Sequence, residues 1–125
     1  MEPAASLGPT TPAAIAARWI HYFNAHDVTN LVRLYADEGR HTSPRVRGLY
    51  PESDGDLVGR PALAQWWNAS LRQTPGLQYE TLAIVGDDSK AFVEYIRRAP
   101  SEPDTVVVER FDVRNGEIVS SRVFL

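Results

Sequence analysis

KAFVEYIRRAPSEPDTVVVERFDVRNGEIVSSRVFL (residues 90–125) alternates apolar and polar side chains in runs rich in valine, isoleucine, phenylalanine and tyrosine, broken at APSEPD and RNG. Branched and aromatic residues suit a pleated, half-buried surface, so the stretch reads as three strands, 90–98, 105–113 and 117–125. Asn115-Gly116 is the strongest turn signal, because both residues tolerate the positive φ that a two-residue hairpin needs. Just upstream, LQYETLAIV (77–85) followed by GDDS supplies a fourth strand, and the four together predict an antiparallel meander.

Earlier in the chain the apolar period lengthens. Ile15, Trp19, Tyr22 and Phe23 recur at helical spacing from Thr11 to Ala25, with Pro12 in the first turn where a helix accepts it. HDVTNLVRLYADEG (26–39) predicts a second helix: Asp27 is its N-cap, Leu31, Leu34 and Tyr35 form a stripe, and Gly39 serves as a left-handed C-cap. Residues 40–44 allow a brief extended stretch, since Pro44 has no amide donor and biases Ser43 toward extended geometry. RVRGLYPESDGDLVG (45–59) has little periodicity and is expected to be an irregular loop, either a lid or a tether. GRPALAQWWNASLRQTPG (59–76) restarts a helix, with Leu63, Trp66, Trp67, Ser70 and Leu71 on one face. Three helices burying their stripes on one face of a curved sheet make an α+β layer architecture.

A chain of 125 residues is enough for one domain with its own core, placed at 12–125 behind an expected flexible N-terminal tail at 1–11. The absence of cysteine removes disulfides, thiolate nucleophiles and Cys-type zinc sites. Three scattered histidines without metal-ligand spacing, and no glycine-rich phosphate loop with its lysine, predict no metal and no cofactor. A net charge of -3 without a Lys/Arg block offers nucleic acid no footprint, and no apolar run approaches the roughly 20 residues of a membrane span. The opening MEPAASLGPTTP lacks a basic start and an apolar core, so a cytoplasmic setting is expected. Small molecules or protein partners remain.

ARWIHYFNAHD (17–27), LVRLYADEG (31–39), LVGRPAL (57–63) and ERFDVRNGEIV (109–119) give the chain its likeness to known proteins. Over roughly residues 12–125 it resembles the NTF2-like superfamily, and within it the SnoaL-like and ketosteroid-isomerase-like proteins. The resemblance implies a cone in which the sheet wraps the helices around a deep, mostly apolar pocket, and a homodimer formed through the outer face of the sheet. It specifies fold more than chemistry, because isomerases, cyclases, hydrolases, dehydratases and binders share this scaffold. Ketosteroid isomerases carry a tyrosine, an aspartate base and a buried aspartic acid at positions matched here by Trp19, Ser43 and Val107. None of these can do its counterpart's work, so steroid isomerisation is disfavoured.

The sequence offers a different set of groups. If Ser43 faces the pocket, alternation turns His41 inward and sends Arg40 and Thr42 outward. Histidine exchanges protons near neutral pH, although a half-buried histidine bonded to a carbonyl is an equal reading. Glu94 shares a phase with Phe92, Ile96 and Arg98, and Glu109 with Val107, Phe111 and Val113. A carboxylate on an apolar face needs a partner such as His41, Arg98 or an indole N–H. His41, Glu94 and Glu109 are therefore the candidate catalytic residues, with the histidine oriented by a glutamate. Trp19, Tyr22, Ser43, Trp66 and Arg98 are the candidate substrate contacts, Trp19 and Ser43 holding a substrate oxygen. Two functions compete. One is a cofactor-independent general acid/base enzyme of isomerase, cyclase, hydratase or hydrolase type. The other is a non-catalytic homodimeric ligand-binding or interaction module, which requires both glutamates to be neutralised by arginines.

Overall fold

The computed structural model describes residues 9–124. Most of the expected tail, residues 1–8, lies outside the described residues. Helix α1 (Pro12–Asn24) opens on Thr11, whose hydroxyl accepts from the Ala14 amide, and carries Pro12 in its first turn. Its buried face is Ile15, Ala16, Trp19, Ile20 and Phe23. Each large apolar side chain so buried stabilises the fold by about 1.5–3 kcal/mol.

Helix α2 is only Val28–Arg33, capped by Asp27, and strand β1 (Tyr35–Thr42) follows after one residue. The expected long second helix is therefore corrected. Leu31 stays helical, but Tyr35 begins a strand, fully buried, with its carbonyl gripped by the Arg60 guanidinium at 2.9 and 2.6 Å. The Leu34 carbonyl accepts from the Ile118 amide at 2.8 Å, so the last strand pulls the chain out of the helix. Gly39 is no helix cap but a buried strand residue. A Cβ there would stand 3.0 Å from the Ala36 carbonyl and from the Tyr35 side chain.

The segment expected to be an irregular loop is ordered into elements. Helix α3 (Pro44–Leu49), a 3-10 turn (Pro51–Ser53) and strand β2 (Asp56–Val58) lead into helix α4 (Arg60–Gln73). Strands β3 (Gln78–Gly86), β4 (Lys90–Arg98), β5 (Thr105–Arg114) and β6 (Glu117–Phe124) form the expected antiparallel meander. Asn115 and Gly116 turn the last hairpin with φ of 54° and 76°.

The whole sheet has six strands in the order β2-β1-β6-β5-β4-β3 and is mixed rather than antiparallel throughout, because β1 lies parallel to β6. Helices α1 and α4 pack on its concave face around Trp19, which meets Phe23, Trp67 and Phe111 at ring distances of 5.3–5.8 Å. The result is an α+β cone.

Candidate functional site

A cavity of about 380 Å³ opens between the helices and the concave face. Its size and mostly apolar wall are those of small-molecule sites. Aromatic rings dominate the wall: Phe23 stacks on Tyr79 at 4.0 Å, and Tyr79 on Tyr95 at 4.3 Å. The polar groups come from strands β1 and β5 and from the mouth.

His41 and Ser43 both line the cavity, as alternation along β1 requires. Arg40 is exposed, whereas Thr42 is buried on the other side, its hydroxyl donating to the Asp56 carboxylate. The Ser43 hydroxyl accepts from the amides of Arg45 and Val46 and so caps α3. A serine preceding a proline is the ordinary start of a helix, and that signal was present in the sequence.

The His41 ring is buried against Trp67, with centroids 5.1 Å apart. Its Nδ1 lies 2.8 Å from Ser121 Oγ. Glu109 Oε2 is 3.8 Å from the same nitrogen, too far for a hydrogen bond, so Ser121 orients the histidine and no glutamate does. Burial lowers the His41 pKa to about 4 and raises that of Glu109 to about 8, the latter despite a 3.0 Å bond from the Tyr95 hydroxyl to Oε1. Both groups are therefore mainly uncharged at neutral pH, and their approach is not an ion pair. Oε2 of Glu109 is fully buried and has no hydrogen-bond partner among the described residues.

The remaining candidates separate. Glu94 has the phase read from the sequence, but that phase faces outward: it is exposed, in line with Phe92 and opposite Val108. Alternation tells which residues share a face, and β4 carries apolar residues on both. Arg98 stands on the same outer face, paired with Glu80 and Asp104, and does not reach the cavity. Tyr22 sits beside His21 on the helix flank and is absent from the cavity wall. Trp19 lines the cavity, but its indole N–H is committed to Tyr35 Oη at 3.1 Å, so it contributes a ring face and no donor to a ligand. Trp66 lines the wall as expected.

Sequence reasoning missed Ser121, Tyr35, Tyr95 and Arg97 as parts of the site; Arg45, with Arg47, could be read from it as a clamp at the pocket mouth, with a solvated loop as the better reading, and of the two only Arg45 lines the cavity. Arg97 is nearly buried and bonded to Glu102 at 2.7 Å. Arg45 lines the mouth with a guanidinium that makes no hydrogen bond or ion pair among the described residues. Ser121 left a trace: a small polar residue whose neighbours two positions away, Val119 and Val123, are apolar, opposite Phe111 in the register. A bulge between Asp112 and Val113 shifts that register, which hides the inward phase from simple alternation.

Among solved structures the cone has many counterparts. A SnoaL-like protein of unknown function from Burkholderia thailandensis superposes with a TM-score of 0.78 at 21% identity, covering 98% of each chain. A candidate polyketide cyclase from Sinorhizobium meliloti gives 0.75 at 16% identity, over 89% of this chain and 94% of that one. A candidate ketosteroid isomerase from Kribbella flavida gives 0.73 at 18% identity, over 90% and 76%. At such identities the likeness is one of fold. No curated protein matches the chain. The family model for the SnoaL-like domain matches residues 16–121, from the buried face of α1 to the serine beneath His41, and by that match the chain belongs to the SnoaL-like family of NTF2-like proteins.

Proposed function

We propose that the chain binds a small, mostly apolar molecule in the cone cavity and moves a proton on it without a cofactor, using Glu109 beside a neutral His41. The observation that carries this reading is the Oε2 atom of Glu109, a buried carboxyl oxygen without a partner among the described residues, on a side chain that lines the cavity. Burying such a group unpaired is costly, and a ligand that bonds to it would remove the cost. Its raised pKa leaves it holding a proton at neutral pH, the state a general acid needs. Glu109 gives that proton to a substrate oxygen, and the carboxylate left behind takes one from a neighbouring carbon, so the enzyme ends as it began. Isomerisation, and the addition or elimination of water, fit this exchange. The stacked rings of Phe23, Tyr79 and Tyr95 suit a flat, conjugated body.

The test is untargeted mass spectrometry of a metabolite extract incubated with the wild type, Glu109→Gln and His41→Ala, reading free and protein-bound fractions. The expected result is a compound consumed by the wild type and turned over at least about 100-fold more slowly by Glu109→Gln. Compounds held but unchanged by all three proteins would defeat the enzyme reading.

That outcome would favour the second reading, a homodimeric binding or interaction module. Its own support is the convex face of the sheet, where Val85, Phe92, Val106 and Phe124 are exposed together. Against it, Glu109 is paired with no arginine among the described residues.

A further inference from the structure

A chain of buried hydrogen bonds runs beneath the cavity. Trp19 Nε1 donates to Tyr35 Oη at 3.1 Å, Tyr35 Oη lies 2.7 Å from Ser121 Oγ, and Ser121 Oγ lies 2.8 Å from His41 Nδ1. All four residues are buried. An indole nitrogen only donates, so the Tyr35 oxygen is an acceptor at that end. Three polar hydrogens then have to be placed. If Tyr35 donates to Ser121 and Ser121 donates to Nδ1, both hydroxyl hydrogens meet acceptors, and the third hydrogen, on Nε2, has no acceptor among the described residues and is left to the cavity that His41 lines. In the reverse direction Nδ1–H donates to Ser121 and Ser121 to Tyr35, which leaves the Tyr35 hydroxyl hydrogen buried with no acceptor among the described residues. An orphaned buried donor biases the equilibrium by about tenfold to a hundredfold.

We infer that Ser121, with its hydroxyl aimed by Tyr35 and Trp19, is a positioning residue that fixes His41 as the neutral tautomer protonated at Nε2, so that the histidine meets a ligand as a hydrogen-bond donor. The ligand class that matches is a compound presenting an oxygen acceptor, a carbonyl above all. Nδ1 is occupied by Ser121, and Nε2 carries a hydrogen and no lone pair, so neither nitrogen is a base. Proton exchange is left to Glu109. The low pKa of His41 agrees, since it keeps the ring uncharged. The chemical use of the donor rests on the function proposed above, but the tautomer itself does not.

The test is a long-range proton–nitrogen correlation spectrum of the 15N-labelled protein near neutral pH. Three imidazoles contribute, and His41→Gln identifies the signals of interest. The expected pattern is a hydrogen on Nε2 with Nδ1 unprotonated. A hydrogen on Nδ1, or a doubly protonated ring, overturns the inference and leaves the cavity proposal standing. Conversely, an extract in which nothing is transformed sinks the enzyme reading and leaves the tautomer untouched. Ser121→Ala is expected to turn the single tautomer into a mixture. If the variant folds and keeps the pure Nε2 form, Ser121 is not the positioning residue. If it does not fold, the wild-type spectrum still decides the tautomer.

Discussion

Glu109 and His41 set opposing dependences of stability on pH. The Glu109 pKa rises from 4.5 to about 8 on folding, so across that interval the unfolded chain releases a proton that the native state keeps, and stability falls as pH rises. The His41 pKa drops from 6.5 to about 4, so the unfolded chain takes up a proton first, and stability is lost as pH falls from 6.5 to about 4. Between 4.5 and 6.5 the two slopes cancel, and above 6.5 only that of Glu109 remains. Chemical denaturation should therefore show stability declining from pH 6.5 to 8 by at most about 1.4 kcal/mol per unit, and Glu109→Gln should flatten the line. A slope that persists in the variant would assign the effect elsewhere. Tyr95 gives the Glu109 carboxyl its one hydrogen bond among the described residues, and that bond favours the ionised form. Tyr95→Phe should accordingly push the Glu109 pKa above its present value in a carbon-13 titration. The inward phase of Glu109 was legible in the sequence from Val107 and Phe111. The outward phase of Glu94 was not, because Phe92 and Ile96 imitate a core face in apolar character.

Among the elements, β1 is where local pattern and final structure part. Leu31, Leu34 and Tyr35 fit a helical stripe, and nothing within the segment announces the change at Leu34. The decisive partners, Arg60 and Ile118, lie 25 and more residues away. The meander and α1 and α4 were legible because their periods are long and uninterrupted. Gly39 marks how tightly β1 folds on itself at its bulge. Gly39→Ala should cost about 1–3 kcal/mol, since the new methyl meets the backbone of Ala36 as well as the Tyr35 ring. Ser43→Ala removes the cap of α3 and should cost about 1 kcal/mol. Urea melts of both variants check these values. A neutral Gly39→Ala would mean that the strand relaxes freely around Tyr35.

At the scale of the molecule, the convex sheet face carries the expectation of a dimer. If two copies meet there, sedimentation velocity should give twice the monomer mass, and Phe92→Asp should give the monomer, since a charge would be buried without a partner. A monomeric wild type at tens of micromolar would discard the dimer. The parallel pairing of β1 with β6 bears on a different property, the order in which the molecule is made. His41 meets Ser121 across 80 residues of chain, and Tyr35 meets it across 86. Contacts so distant in sequence close late, because the entropy of the large loop has to be overcome before they are gained. During synthesis the helices and the first strands emerge before β6 exists, so the nascent chain has walls without a floor. The cavity becomes competent only when the final strand slides between β1 and β5, which makes completion of the fold and creation of the site one event.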